Sequence, residues 1–324
     1  MLFKTNIKDI PYKKKVAIIG TGFVGSTTAY ALMMKELARE IVLVDINRKA
    51  SQGEILDIAH GIPSMGSGSI YAGDYSDCKD SDLIIITAGR NRREGETRLE
   101  LAEGNLSIVK SVLENLAPHY TKGIILLITN PVDIITQKAI EWTGLPEGRV
   151  FGTGCLLDSS RFVRAIADHL SVNTELVHGM IVGEHGESQL PVWSMVTVSG
   201  IQIDEYCKIK GIPFTSEDKQ KIADTVRTMG ADIIKTKGKT HFGIATCVAS
   251  LADAIINGRT TISTVSTILK GEYGVNGIAT SLPCIVSNNG VEKRLTETFS
   301  DEEVKLFKDS AEKLEKVVHQ FKDI

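Results

Sequence analysis

A doubly wound, mostly parallel α/β sheet followed by an α+β half is the fold this chain predicts. Three observations predict it. Short apolar segments alternate with helical ones through the first 150 residues or so. The first of these segments runs straight into Gly20-Thr21-Gly22-Phe23-Val24-Gly25. Beyond about Val150 the rhythm breaks and strand and helix signals mix. A length of 324 residues exceeds one simple core, and two units, or one large unit with an elaborated half, are expected.

Lys14–Gly20 (KKVAIIG) is a short apolar run ending in glycine, as a parallel strand buried on both faces requires. Residues 22–36 follow with helical character, Glu40–Ile46 (EIVLVDI) is a second strand, and Lys49–His60 a second helix. Asp82–Gly89 (DLIIITAG) and Gly123–Asn130 (GIILLITN) are two more strands, separated by a helix near 99–117. Strands that alternate with helices in this way imply right-handed crossovers. In the second half a helix from about Asp158 leads to Leu176–Val182, and Ser216 is expected to cap a helix running toward Lys237. Ser300 with Glu303 forms a capping box for a last helix, whose stripe of Val304, Phe307, Ala311, Leu314, Val318 and Phe321 reads as core packing.

Composition excludes several classes. A net charge of −3 with 24% charged residues leaves no basic footprint for nucleic acid. Lys13–Lys15 read as the solvated lead-in to the first strand. The cysteines at 78, 155, 207, 247 and 284 are scattered without a CxxC, which implies reduced thiols and no metal site. His60, His119, His169, His241 and His319 show no metal spacing and read as surface or structural. No signal-peptide core and no uncharged stretch of spanning length is present, so a cytoplasmic protein with no membrane partner is expected.

The glycine-rich segment fits a dinucleotide. Gly20 permits the turn, Gly22 lets the backbone reach a diphosphate, and Gly25 allows close helix–strand packing. The helix that follows offers unpaired N–H groups to the phosphates. Asp45 ends the second strand, twenty residues beyond Gly25, where a carboxylate accepts both ribose hydroxyls and repels a 2′-phosphate. NAD is therefore favoured over NADP, with Arg48 read as a solvated helix residue. An S-adenosylmethionine site on a related sheet satisfies the glycine pattern alone.

Proton chemistry points to Gly183–Ser194 (GEHGESQLPVWS). There His185 lies between acidic residues in a turn bracketed by Gly183 and Gly186, where an imidazole can take and return a hydroxyl proton. Gly89–Arg98 (GRNRREGETR) leaves the C-terminal end of a strand and has the polarity of a lid. Arg90 and Arg93 read as solvated, whereas Arg98 begins an amphipathic helix and has a rigid base. Asp158 and Arg161 lie three apart on a helix, hence on one face. A guanidinium there can grip a carboxylate through two parallel bonds, and a plain surface ion pair fits the spacing equally well.

Taken together, GTGFVG, the VD ending of strand two, TAG…EGETR, TNPVD, LDSSRF and GEHGESQLPVWS resemble the L-lactate/malate dehydrogenase family, in order and over nearly the whole chain. The resemblance implies a Rossmann-type NAD-binding domain over 14–152, a catalytic domain over 153–324, a homotetramer, and a place in glycolysis and fermentation. It implies that His185 is the proton donor and acceptor, Asp158 its orienting partner, and Arg98 the lid residue that polarises the carbonyl. Arg161 becomes the clamp on the substrate carboxylate, with Arg92, Asn130 and Thr240 also facing substrate. The cofactor residues it implies are Gly20, Gly22, Phe23, Val24, Gly25, Asp45, Tyr75, Gly89, Asn105, Asn130 and Thr153, and Pro131 is typically cis.

Within the family, pyruvate and oxaloacetate are told apart six residues before the lid arginine. Arg92 stands there, as in malate enzymes, where a second substrate carboxylate needs neutralising. Burying that charge beside a methyl group would be costly. Glu96, Thr240, the GEHGESQLPVWS segment and Gly271-Glu272-Tyr273-Gly274 are lactate-type, and the whole-chain resemblance places lactate first and malate second. A branched-chain 2-hydroxy acid and a non-catalytic NAD-binding scaffold stay open on the residues alone. Two outcomes are expected. Arg92→Gln shifts the pyruvate/oxaloacetate ratio of kcat/KM toward pyruvate, and an unchanged ratio contradicts this role. Activation by fructose 1,6-bisphosphate is weak or absent, because His178 is present but Val163 replaces the arginine that relatives use for its phosphate. A large fall in pyruvate KM on adding that sugar phosphate contradicts it.

Overall fold

The computed structural model describes residue 2 and residues 14–91, 95–296, 299–322 and 324, with Arg98 described by its backbone alone. The first half supplies β1 (Lys15–Ile19), α1 (Phe23–Met34), β2 (Glu40–Val44), α2 (Arg48–Met65), β3 (Ser69–Ala72), β4 (Leu83–Ile86), α3 (Arg98–Leu116), β5 (Ile124–Leu127), α4 (Val132–Thr143) and β6 (Val150–Gly152). Its strands pair in parallel in the order β3-β2-β1-β4-β5-β6. The order reverses between β1 and β4, and open α/β sheets bind ligands at the carboxyl ends of such a pair.

Alternation along each strand builds two layers. Val16 and Ile18 of β1 pack with Ala29, Leu32 and Met33 of α1, whereas Ala17 and Ile19 face Leu106, Val109 and Leu113 of α3. Both faces are covered, which is why these strands read as continuous apolar runs rather than alternating ones.

The second half contains α5 (Leu156–Leu170), β7 (Val177–His178), β8 (Ile181–Val182), β9 (Leu190–Pro191), β10 (Thr197–Val198), β11 (Ile201–Gln202), α6 (Ile203–Lys210), α7 (Ser216–Lys237) and α8 (Phe242–Ile256). It closes with β12 (Thr261–Lys270), β13 (Asn276–Ser287), β14 (Gly290–Arg294) and α9 (Asp301–Val318). The long antiparallel hairpin of β12 and β13 continues the first sheet, because β12 pairs with β6 at Ser266↔Gly152. Among the described residues one nine-stranded sheet therefore runs through both halves, with a three-stranded and a two-stranded sheet beside it.

Several elements differ from the sequence expectation. α2 continues to Met65 through Pro63, which sits in the last turn, where the loss of one backbone donor is tolerated. Thr215, not Ser216, caps α7: its hydroxyl accepts from Asp218 N–H while the Asp218 carboxylate accepts from Thr215 N–H. Leu176–Val182 splits at Gly179 and Met180 into β7 and β8, which pair in different sheets. α9 has the expected Ser300–Glu303 box and buries Phe307, Ala311, Leu314, Val318 and, just beyond the helix, Phe321, while Val304 is half-buried.

The glycine turn shows which positions the fold itself needs. Gly20 has φ +104°, and a Cβ there would lie 2.6 Å from Ala88 N. A Cβ on Gly25 would lie 1.9 Å from Gly20 O, so α1 could not approach β1, whereas Gly22 faces open space. Gly25→Ala is therefore expected to destabilise the protein by about 1–3 kcal/mol through overpacking. Gly22→Ala should stay within about 0.5 kcal/mol of the parent. Urea unfolding of the two variants checks the contrast, and equal losses would contradict it.

Candidate active site

The site is organised around the first two turns of α5. Asp158 is 2% exposed and carries two partners. His185 Nδ1 lies 2.5 Å from its Oδ2, and Arg161 Nη1 donates to its Oδ1 at 3.0 Å. The i,i+3 spacing thus yields a buried triad rather than a solvated surface pair, because an imidazole from another element closes it. Burial alone would raise the Asp158 carboxyl, but the His185 and Arg161 charges hold it below its usual range. Burial likewise works against an imidazolium at His185, yet the charge and hydrogen bond of Asp158 outweigh it and the pKa is raised. Nδ1 is spent on Asp158, so Nε2 is the nitrogen left for chemistry.

Three elements hold the His185 turn. Gly183, at φ +84°, pairs by backbone with Ser281 of β13 through bonds of 2.9 and 3.1 Å. Glu184 N–H donates to Ser310 Oγ of α9 at 3.1 Å, and His185 N–H donates to Asp133 Oδ2 of α4 at 2.7 Å. The tight bend falls on Gly183; Gly186 keeps a φ open to other residues. The Glu184 carboxylate turns away and accepts from the Ser188 N–H and hydroxyl. Asp133 was visible in TNPVD without a role. It is buried, which pushes its carboxyl up to about 6, and it fixes the His185 backbone. Gly230 of α7 faces the triad: a Cβ there would lie 3.4 Å from Arg161 Nη2, so glycine leaves space beside the guanidinium.

The segment after β4 contains a correction. Arg90 is not a solvated cation: Nη1 donates to Glu96 Oε2 at 2.7 Å and Nη2 donates to the other oxygen, Oε1. Glu96 sits just before the Thr97–Glu100 capping box, on which Arg98 starts α3. Arg92 and Arg93 lie outside the described residues, and so does the side chain of Arg98. Asn105, 2% exposed, accepts from Arg90 N–H at 2.9 Å and donates to Arg90 O at 3.2 Å and Asn130 O at 2.7 Å. Its amide ties the β4–α3 segment to the β5–α4 turn. Asn130 is exposed there and precedes a cis bond to Pro131.

The glycine turn fits a dinucleotide. α1 begins at Phe23 with no side-chain cap and no acidic residue in its first turn, and Gly22 faces open space. Its first N–H groups and the positive end of its dipole are thus available to phosphate. Asp45 steadies the turn, with Oδ2 accepting from Thr21 N–H at 2.6 Å and from its hydroxyl at 3.0 Å. Beside Asp45 a cavity of about 170 Å³ is lined by Arg48, Gly73, Asp74 and Asp77 as well. Its carboxylates outnumber its one guanidinium, which disfavours a 2′-phosphate. Tyr75 is half-buried nearby, Gly89 ends the β4 segment against Thr129, and Thr153 is buried after β6. Thr240 lies half-buried between α7 and α8, beside Lys239 and His241. The helix that carries Asp158 and Arg161 also carries Val163, packed against apolar neighbours, while His178 is exposed.

Comparison with known proteins agrees with this fold. Residues 14–152 match the family model of the lactate/malate dehydrogenase NAD binding domain, and residues 155–324 that of the lactate/malate dehydrogenase alpha/beta C-terminal domain. An L-lactate dehydrogenase of Acetivibrio thermocellus is 40% identical over 305 residues, 94% of this chain and 96% of that protein. One of Thermoanaerobacterium saccharolyticum is 43% identical over 306 residues, 94% of this chain and 98% of that protein. The ligand-bound crystal structure of the minor L-lactate dehydrogenase from Enterococcus mundtii superposes with a TM-score of 0.92 at 37% identity, covering 96% of this chain and 99% of that one. With a Rossmann-like sheet for NAD at one end and a His–Asp–Arg cluster at the other, the chain belongs to the lactate/malate dehydrogenase family.

Proposed function

We propose that this protein is an NAD-dependent L-lactate dehydrogenase that reduces pyruvate reversibly. One observation carries the reading: a single buried carboxylate, Asp158, holds both the His185 imidazole and the Arg161 guanidinium. The relatives at 40% and 43% identity bear the name L-lactate dehydrogenase, which favours lactate over malate.

Bound at the glycine turn, NADH supplies the hydride. The first turn of α1 receives its diphosphate, Asp45 accepts the ribose hydroxyls, and Phe23, Val24, Tyr75 and Gly89 line its path. Asn130 and Thr153 face the nicotinamide end, and Asn105 braces Asn130. Arg161 holds the substrate carboxylate through the N–H groups that Asp158 leaves over. His185 Nε2 donates a proton to the keto oxygen as negative charge builds there, and takes it back in the reverse direction. Asp158 stabilises the imidazolium, Arg98 places a further positive charge at the developing alkoxide, and Thr240 lines the pocket. Arg92, six residues before the lid arginine, is the residue proposed to meet a second carboxylate, so oxaloacetate is expected as a slower substrate.

The same reading includes a homotetramer in the cytoplasm, a role in fermentative glycolysis, and a domain boundary between 152 and 153. Among the described residues no helix is long and apolar enough to cross a membrane. The direct test is kcat/KM for pyruvate, oxaloacetate and 2-oxoisocaproate with NADH. Pyruvate is expected highest, and a higher value for either rival overturns the assignment.

His185→Asn is expected to lower kcat by about 10²–10⁴-fold while NADH still binds. The pH dependence follows from sign. Asp158 raises the His185 pKa, so pyruvate reduction, which needs the imidazolium, persists below that pKa and falls as pH rises through it. Lactate oxidation, which needs the neutral ring, rises over the same interval. Asp158→Asn removes the anion and should move both limbs to lower pH. Stationary limbs would show that the carboxylate does not tune the imidazole.

A further inference from the structure

Lys239 is a cation that neither the triad nor the glycine turn accounts for. It belongs to the Gly238–His241 connection between α7 and α8, yet its Nζ stands 3.3 Å above the ring centroid of Phe23, the first residue of α1. Phe23 is 53% exposed, so the ammonium lies at the open mouth of the turn rather than inside the core. No carboxylate among the described residues pairs with Lys239.

A second observation points to the same place. The His241 ring stacks on Phe23 at 5.7 Å and 27°. It is 7% exposed, and its Nδ1 has no hydrogen-bond partner among the described residues. A buried imidazole nitrogen left unpaired is costly, so the ring is held there by its stacking on Phe23 rather than by a hydrogen bond of Nδ1. Burial, then the charges of Lys237 and Lys239, lower the His241 pKa.

We infer that Lys239, held over Phe23 and flanked by the buried His241, is a cofactor-binding residue that reaches from the second half of the chain to the dinucleotide diphosphate. The inference rests on the NAD-binding reading of the glycine turn. Its physical content is charge: an uncapped helix start offers about half a unit of positive charge, and a diphosphate carries two negative ones. A mobile ammonium that already leans over the first residue of that helix can exchange its aromatic contact for a charge-assisted hydrogen bond to phosphate. Phe23 then acts as a resting platform, and His241 keeps that platform in place.

The test is equilibrium binding, read by fluorescence, with NADH, ADP-ribose and adenosine as ligands. Lys239→Ala and Lys239→Gln are expected to raise the Kd of NADH and ADP-ribose about tenfold at low salt, with the gap closing as salt screens it. Adenosine affinity should not change, and Lys239→Arg should restore most of the loss. Unchanged Kd values for NADH at low salt overturn the inference. So does an equal loss for adenosine, which would mean that the turn itself was damaged. Failure of the parent protein to bind NADH at all would instead sink the cofactor reading, and this inference with it.

Discussion

Everything in the substrate half depends on the Asp158 carboxylate being ionised while buried. An isolated buried carboxylate would take up a proton, so the fold must bring it positive partners. Arg161 comes from the same helix at no cost in topology, but His185 must be delivered from a turn 27 residues on. With the imidazole protonated, the three groups sum to one positive charge, which matches a monoanionic keto acid. With it neutral they sum to zero. Proton, hydride and charge balance are thereby coupled at one buried oxygen pair.

The rest of the second half secures that delivery. Gly183 is paired to Ser281, Glu184 to Ser310 and His185 to Asp133, so β13, α9 and α4 each hold one consecutive residue of the turn. Because α4 also starts at the Asn130–Pro131 turn, the His185 backbone is referenced to the same element that follows β5. Asn105 extends the reference to the Arg90 segment, and the Arg90–Glu96 pair anchors the start of α3. Positioning of this kind matters because misplacement by an ångström erodes a catalytic advantage that depends on alignment.

The parallel sheet was legible in the sequence because strands buried on both faces leave uninterrupted apolar runs such as Val16–Ile19, and Gly20 and Gly25 sit where the turn geometry demands them. The short strands β3, β6, β7 and β8 were not, since two to four residues carry no period of their own and take their pairing from neighbours. Ser216 looked like a cap, but Thr215 had an acid at the right distance, Asp218, and won. For the site, residue types at His185, Asp158 and Arg161 were readable, whereas their meeting was not: spacing alone could not tell a solvated pair from a triad. Arg90 misled because its partner, Glu96, lies across a loop. Asp133, Gly230 and His241 were missed for one reason. Each acts through what it packs against, and no local pattern around these positions announces that.

The pairing of β12 with β6 has a consequence for how the molecule moves. Cofactor and substrate regions hang on one hydrogen-bonded sheet, so they cannot swing like two jaws on a tether without breaking ladder bonds. Whatever shields the reacting atoms from water has to be supplied by loops and side chains. Cutting the chain at the junction would strip β6 of a neighbour and leave a raw strand edge, the kind of surface that recruits other chains. The two halves are thus separate in sequence and a single mechanical body in space.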